Sequence, residues 1–364
     1  MPRLQGVLGE VTAEVLGAAE NQHARNGLLG QNAMVIETTL PDWLPHLEGT
    51  IVDGELLRGW ALSEVWRIRL NGATRKSVIA KRGVGELAGE ARRYHELVVP
   101  LGIPAPRLLA EGGSGVIVLE DVGGEDLEAR PTAEGYEEAV RVLARMRAES
   151  ALRLASDPAL AAGLRRSTAD LVAVAARADA AMTALRPDLA GALDDPVRAM
   201  TGCLEQLSSE PETIVHGDFQ AKNLLHTPGG GIVTIDWSDA YVHPHLGDLY
   251  LLLREGRKQG RIDGVRMEAL PELFAHEAGT DPQAVTDQLV TGGLCWTMNA
   301  LRWVVETGVH AVPVSREWID ELVTDLRELT SVINGRSRPQ RGVPGRQQPR
   351  RRRSHRLGGV DERR

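Results

Sequence analysis

Between Ile214 and Trp237 three polar side chains stand in a fixed order that few folds accommodate. The run Ile214-Val215-His216-Gly217-Asp218-Phe219-Gln220-Ala221-Lys222-Asn223-Leu224-Leu225 carries an Asp and an Asn five residues apart. After the turn Thr227-Pro228-Gly229-Gly230-Gly231, a second apolar stretch ends in Ile235-Asp236-Trp237. Apolar segments on either side of a Pro-Gly turn predict a hairpin over Asn223–Ile235. Asp218 and Asn223 then lie on the loop that enters the hairpin, and Asp236 arrives from its far end. Each residue alone could be a turn or strand cap. The ordered set, with a hairpin between its members, brings two carboxylates and an amide to one place.

A carboxylate aimed at a hydroxyl can accept its proton. An amide oxygen and a second carboxylate are hard ligands suited to Mg²⁺, which completes its shell with phosphate oxygens and water. One base and two such ligands suffice for phosphoryl transfer, where the protein mainly positions groups and neutralises charge. At these residues the sequence resembles the aminoglycoside phosphotransferase family, a branch of the protein-kinase-like fold that phosphorylates small molecules. His216-Gly217-Asp218 with Asn223 matches its H-G-D-x-x-x-x-N catalytic loop, and Ile235-Asp236-Trp237 matches its counterpart of the kinase D-F-G. The resemblance implies that Asp218 is the catalytic base, that Asn223 and Asp236 bind Mg²⁺, and that His216 is structural. Pro244-His245-Leu246-Gly247-Asp248-Leu249 looks like the family's D-P-x-x-D-L-A region, which makes Asp248 a buttress of the catalytic loop through backbone hydrogen bonds. It departs from that pattern in having Val242-His243 before Pro244, where an Asp is common.

Upstream, Thr50–Leu57, Val65–Leu70 and Ser77–Lys81 read as strands of an antiparallel meander, with Asn71-Gly72 turning between the second and third. Gly85–Val99 sets Leu87, Ala91, Tyr94 and Val98 on one helical stripe that stops at Pro100. Extended pieces follow at Arg107–Ala110 and Val116–Leu119, and from Thr132 to about Gly335 the pattern is helical apart from the hairpin. The expected architecture is a bilobal α+β protein-kinase-like fold. Its parts are an extension over 1–45 with helical character at 4–20, a β-rich nucleotide-binding N-lobe over 46–121, a mainly helical C-lobe over 122–335, and a disordered tail over 336–364.

Lys81 ends Val78-Ile79-Ala80-Lys81, like the V-A-I-K lysine that holds the α- and β-phosphates. Only four of the 42 basic residues are lysines, so a position needing charge alone would usually carry Arg. A lysine here therefore points to a compact ammonium group. Glu90 is its favoured partner, and Glu86, one turn earlier, competes. Between the first two strands, Arg58–Glu64 holds one glycine where a phosphate loop is expected. Either Ser63 and nearby N–H groups cover the phosphates, or the segment is a plain β-turn. Leu119–Val122 takes the place of the hinge whose backbone meets adenine, so Leu119 and Val122 join the candidate nucleotide contacts.

The tail from Arg336 to Arg364 has eleven Arg against Asp361 and Glu362, leaving residues 1–335 with a net charge of −17. The tail's Arg, Gly, Pro and Gln cannot bury enough surface to order it. An acidic body disfavours nucleic acid, except through that tail, and favours a cationic ligand. Around Leu294–Glu306, Leu294, Met298, Leu301 and Val305 form a core stripe, while Trp296, Asn299, Trp303 and Glu306 share the opposite face. That second face could hold an amine or be buried on both sides. Cys203 and Cys295 lack the spacing of a disulfide framework or zinc site, and no apolar run is long enough for a bilayer. The expected protein is a cytoplasmic, Mg²⁺-dependent kinase that moves the γ-phosphate of ATP or GTP to a small-molecule hydroxyl. Its acceptor is either an aminoglycoside-like cation or choline, a sugar or another metabolite; a non-catalytic nucleotide-binding pseudokinase is the further alternative.

Overall fold

The computed structural model describes residues 40–258, 264 and 266–336. The helical reading of residues 4–20, most of the 1–45 extension and nearly all of the 336–364 tail lie outside the described residues.

Five antiparallel strands form the first sheet: β1 (Thr50–Trp60), β2 (Ser63–Asn71), β3 (Ser77–Gly83), β4 (Leu108–Glu111) and β5 (Val116–Glu120), in the order β1-β2-β3-β5-β4. Alternation along the strands assigns the two faces. Trp66, Ile68, Val78, Ala80 and Val118 are buried on one face, where Leu40, Trp43, Leu44 and Leu47 cover them. On the other face Ile79 and Ile117 pack towards the helical part of the chain, so Lys81, two residues after Ile79, also points there. β1 and β2 both extend beyond their expected ends because Trp60 pairs directly with Ser63, leaving Ala61 and Leu62 as a two-residue turn.

The expected continuous helix over Gly85–Val99 is broken into three forms. A 3₁₀ turn at Gly85–Gly89 leads into α1 (Glu90–Arg93), which continues as a π turn at Tyr94–Val98. Gly85 has a left-handed φ of 62°, and a side chain at Gly89 would collide with Arg93. These glycines favour local contacts over regular helix. Tyr94, Leu97 and Val98 still bury the apolar stripe.

The remainder contains α2 (Ala133–Ser156), α3 (Thr168–Leu185), α4 (Asp194–Gln206), α5 (Gly247–Lys258), α6 (Leu270–Ala278), α7 (Pro282–Trp303) and α8 (Trp318–Arg336). Their starts follow ordinary capping chemistry: Thr132 caps α2, Ser167 and Asp170 form a capping box on α3, and Asp281 caps α7 ahead of Pro282. One core joins α2, α5 and α6 to Tyr94, Phe219 and Trp237; a second joins α3, α4, α7 and α8. Two small sheets interrupt the helices rather than the single expected hairpin. β7 (Leu224–His226) and β8 (Ile232–Thr234) form that hairpin, while β6 (Ile214–Val215) and β9 (Tyr241–Val242) pair around it. Two-residue strands are too short to show a period, which is why the β6–β9 pair leaves no sequence signal.

Candidate active site

β6 and β9 clamp the loop 216–223 at its base. The backbone N–H groups of His216 and Gly217 donate to the two carboxylate oxygens of Asp248, at the start of α5, over 2.8 and 2.9 Å. Burial raises the pKa of Asp248, with these two hydrogen bonds acting against it. Gly217 has a φ of 86°, and a side chain there would meet the Asp239 carbonyl at 2.8 Å, so the turn requires glycine. His216 Nε2 lies 3.0 Å from the Ile235 carbonyl, and its Nδ1 accepts the Asp218 N–H at 3.2 Å. With Nδ1 accepting, Nε2 is the ring nitrogen that donates to the carbonyl. The ring packs on Trp237 with centroids 4.3 Å apart, tying the loop to the residue after Asp236.

Asp218 is thereby held at the open edge of the loop with its side chain 27% exposed, enough to meet a substrate. Asn223 Nδ2 donates to the Asp218 carbonyl at 2.8 Å and to Oδ2 at 2.7 Å; Gln220 Nε2 donates to Oδ1. Lys222 Nζ stands 3.9 Å from Oδ2. Asn223 is 2% exposed and uses its nitrogen on Asp218, which leaves Oδ1 as the oxygen available for a cation.

Asp236 adopts a left-handed φ of 66°, uncommon for a residue with a side chain. Its Oδ1 accepts Lys81 Nζ at 2.6 Å and Ser238 Oγ at 3.0 Å. Lys81 Nζ is also 2.6 Å from Glu90 Oε2, and Glu90 Oε1 accepts the Trp237 N–H at 3.0 Å. Burial opposes the charge on Lys81, but Asp236 and Glu90 outweigh it and hold its pKa above the ordinary value. Burial likewise opposes ionisation of Asp236, and Lys81 prevails, keeping the carboxyl well below the usual range. Glu86 does not compete for Lys81, because Arg302 grips it.

Ser63 is buried, paired in register with Gly83, and the neighbouring Leu62 carbonyl accepts the Val84 N–H. Residues 58–64 thus form a tight hairpin end. Leu119 sits within the sheet between Ile79 and Leu108, whereas Val122 follows the last strand; Asp121 fixes that exit by accepting from Ser77, Arg67 and the Gly123 N–H.

The face carrying Trp296, Asn299, Trp303 and Glu306 does not form one acceptor pocket. Trp296 packs on Tyr250 and under Arg254, which pairs with Glu321 and Asp325 of α8. Asn299 Oδ1 accepts from Arg302, and Trp303 meets Trp60. Glu306 is held by Arg177 through both oxygens and by Arg302 at 3.2 Å, so its charge is already balanced. The two tryptophans stand seven residues apart, about 10 Å along a helix, and meet different neighbours.

Three participants escaped the sequence reading. Arg58 on β1 lowers the Asp236 pKa electrostatically, marking its charge as close to the site. Arg147 on α2 is buried and donates to the Pro244 and His245 carbonyls, bracing the loop that presents Asp248. Burial pushes its pKa down to about 10. Asp239 has no side-chain hydrogen bond or ion pair among the described residues. Burial, followed by the charges of Asp218, Asp236 and Glu86, pushes its carboxyl up to about 6. Asp239 follows Asp236 by three residues, a spacing that could have drawn attention to it.

A five-stranded antiparallel sheet over a helical body, with Lys81 of the sheet bonded to Asp236, is the protein-kinase-like fold of small-molecule phosphotransferases. The phosphotransferase enzyme family model, APH, matches residues 59–284, and the chain belongs to that family. Among solved structures, it is similar to choline kinase from Cryptosporidium parvum Iowa II, with 12% identity, a TM-score of 0.56 and coverage of 78% of this chain and 90% of the other. A thermostable mutant of aminoglycoside phosphotransferase APH(4)-Ia, in a ternary complex with ADP and hygromycin B, is 16% identical, with a TM-score of 0.52 and coverage of 78% and 94%. Choline kinase LicA from Streptococcus pneumoniae is 14% identical, with a TM-score of 0.53 and coverage of 76% and 94%. No curated protein matches the chain. No helix among the described residues is long and apolar enough to cross a membrane.

Proposed function

We propose that the protein transfers the γ-phosphate of ATP or GTP to a hydroxyl of a small molecule, with residues 46–121 binding the nucleotide and 122–335 supplying the catalytic loop and acceptor site. The observation that carries this reading is the joining of Lys81, Glu90 and Asp236 into one network beside the Asp218–Asn223 loop. Lys81 holds the α- and β-phosphates, Arg58 adds positive charge near them, and Val122 lies where adenine meets the hinge. Asp218 accepts the proton of the attacking hydroxyl, and Asn223 and Gln220 orient its carboxylate. His216 and Asp248 fix the loop.

Asn223 and Asp236 fit Mg²⁺, since a carboxylate and an amide oxygen next to phosphates form the donor set this cation prefers. When bound, Mg²⁺ would supply charge neutralisation for the phosphate oxygens. The acceptor is a small cation or polyol, and the location is the cytoplasm. Asp239 favours the cationic reading, because it is a carboxyl near Asp218 that makes no direct ion pair among the described residues, Arg93 acting on it only as a minor nearby charge. The test is a coupled ADP- or GDP-release screen over aminoglycosides, choline and other amines, and sugars. Turnover with one class supports the reading; nucleotide binding without transfer to any of them points to the pseudokinase alternative.

A further inference from the structure

Two adjacent residues at the end of α7 reach across to the sheet side of the molecule. Trp303 meets Trp60 at the end of β1, with ring centroids 6.4 Å apart and planes at 64°. Arg302 donates Nη1 and Nη2 to the two oxygens of Glu86, at 2.6 and 2.9 Å, across 216 residues of chain. Arg302 is 6% exposed, so its charge must be balanced locally. Glu86 and Glu306 do this, and Arg177 secures Glu306 from α3. Hydrogen bonding from Arg302 holds the Glu86 carboxyl below its ordinary pKa.

Glu86 lies four residues before Glu90 on the segment formed by the 3₁₀ turn and α1. A five-residue 3₁₀ turn with glycine at both ends, joined to a four-residue helix, has little intrinsic stability, so external contacts set its position. One such contact is Glu90 on Lys81 and the Trp237 N–H. At its start the contact is Glu86 on Arg302, while Tyr94, Leu97 and Val98 bury its far end in the core. Release of Glu86 would free the start of the segment to move and let Glu90 withdraw from Lys81.

We propose that Arg302 is a positioning residue for the phosphate-binding lysine: through Glu86 it fixes the segment carrying Glu90, and so couples the end of α7 to the nucleotide site. This rests on the proposed role of Lys81. Coupling of this kind is reciprocal, so nucleotide binding in turn strengthens the Glu86–Arg302 tie.

The test is a double-mutant cycle of Glu86→Gln and Lys81→Ala, read as the affinity for AMP-PNP with Mg²⁺, with thermal melting run alongside. The Glu86 side chain is 47% exposed and Glu306 still balances Arg302, so removing the Glu86 charge leaves the core intact. Glu86→Gln is expected to weaken nucleotide binding roughly 5- to 10-fold, within the usual range of site-to-site coupling, with a smaller effect on kcat. In the Lys81→Ala background the same substitution should have no further effect. Wild-type affinity in Glu86→Gln, or an equal loss with and without Lys81, would overturn the proposal. If Lys81→Ala alone binds like wild type, the phosphate role of Lys81 fails, and the coupling argument fails with it.

Discussion

Glu90 Oε1 accepts the Trp237 backbone N–H at 3.0 Å while Glu90 Oε2 stands 2.6 Å from Lys81 Nζ, so one carboxylate fixes both the lysine and the backbone beside Asp236. Glu90 is 3% exposed, and its removal would leave buried Lys81 with Asp236 as its remaining anionic contact. Breaking a buried pair by deleting one partner costs about 3–5 kcal/mol. Because Asp236 still balances Lys81, Glu90→Ala should lower stability by less than that amount and weaken nucleotide binding. Urea unfolding and nucleotide titration measure the two effects; a variant as stable as wild type would contradict the assignment.

Asp218→Asn keeps the shape of the side chain and removes the proposed proton acceptor. It should lower kcat by roughly 10²–10⁴ while nucleotide affinity stays within a few fold. Asp236→Ala should instead abolish Mg²⁺-dependent nucleotide binding, because it removes the proposed metal ligand and a partner of Lys81. Steady-state kinetics and binding measurements separate the two, and normal turnover by Asp218→Asn would remove it as the base.

Acid should destabilise the loop before α5. His243 Nδ1 accepts the His245 N–H, and His245 Nδ1 accepts the Gly247 N–H, so both rings must stay neutral at that nitrogen. Burial, with a smaller contribution from Arg147, pushes His243 down to about 4; burial, followed by His243 and Arg147, also depresses His245. The unfolded chain takes up these protons near pH 6.5, whereas the folded chain resists them. This stability is fully present above pH 6.5 and is lost as pH falls towards the folded values, at up to about 1.4 kcal/mol per pH unit for each histidine. Melting temperature measured from pH 7.5 to 4.5 should fall, and His243→Asn should flatten the fall. An unchanged slope in that variant would refute the histidine origin.

A cationic acceptor should depend on Asp239 more than on Glu306, whose charge Arg177 and Arg302 already balance. Asp239→Asn is expected to raise KM for an amine several-fold and leave KM for a neutral hydroxyl compound unchanged. Since Asp239 titrates at about 6, KM for the amine should also rise as pH drops through that value and the carboxyl becomes neutral. High salt should act in the same direction by screening the attraction. Equal KM for the amine in wild type and Asp239→Asn would exclude this carboxylate from acceptor binding.

The family, and the nearness of its motif residues to one another, were legible because their geometry is short-range. Asp218, Asn223 and Asp236 converge through one hairpin, and its Pro-Gly turn is written in the residues between them. The alternation of Val78 and Ala80 with Ile79 and Lys81 likewise assigns the faces of β3 without reference to the rest of the chain. The sequence by itself therefore determined the β-rich first part and the mainly helical remainder, the hairpin that brings Asp218, Asn223 and Asp236 near one another, and the lysine at the strand end.

Only the tertiary structure decided which charges remain available. Four lysines leave 38 arginines among the 42 basic residues, so every carboxylate has many possible partners. Spacing within a helix could not reveal that Arg177 reaches Glu306 across 129 residues, or that Arg302 draws Glu86 away from Lys81 across 216. Nor could it separate Trp296, packed on Tyr250, from Trp303, which faces Trp60. Such pairings depend on how whole helices pack, and the energy of each ion pair depends on the burial that packing creates. The same long-range packing pairs β6 with β9, breaks the helix after Gly85 into three forms, and leaves Asp239 beside the Asp218 loop without a direct ion pair among the described residues.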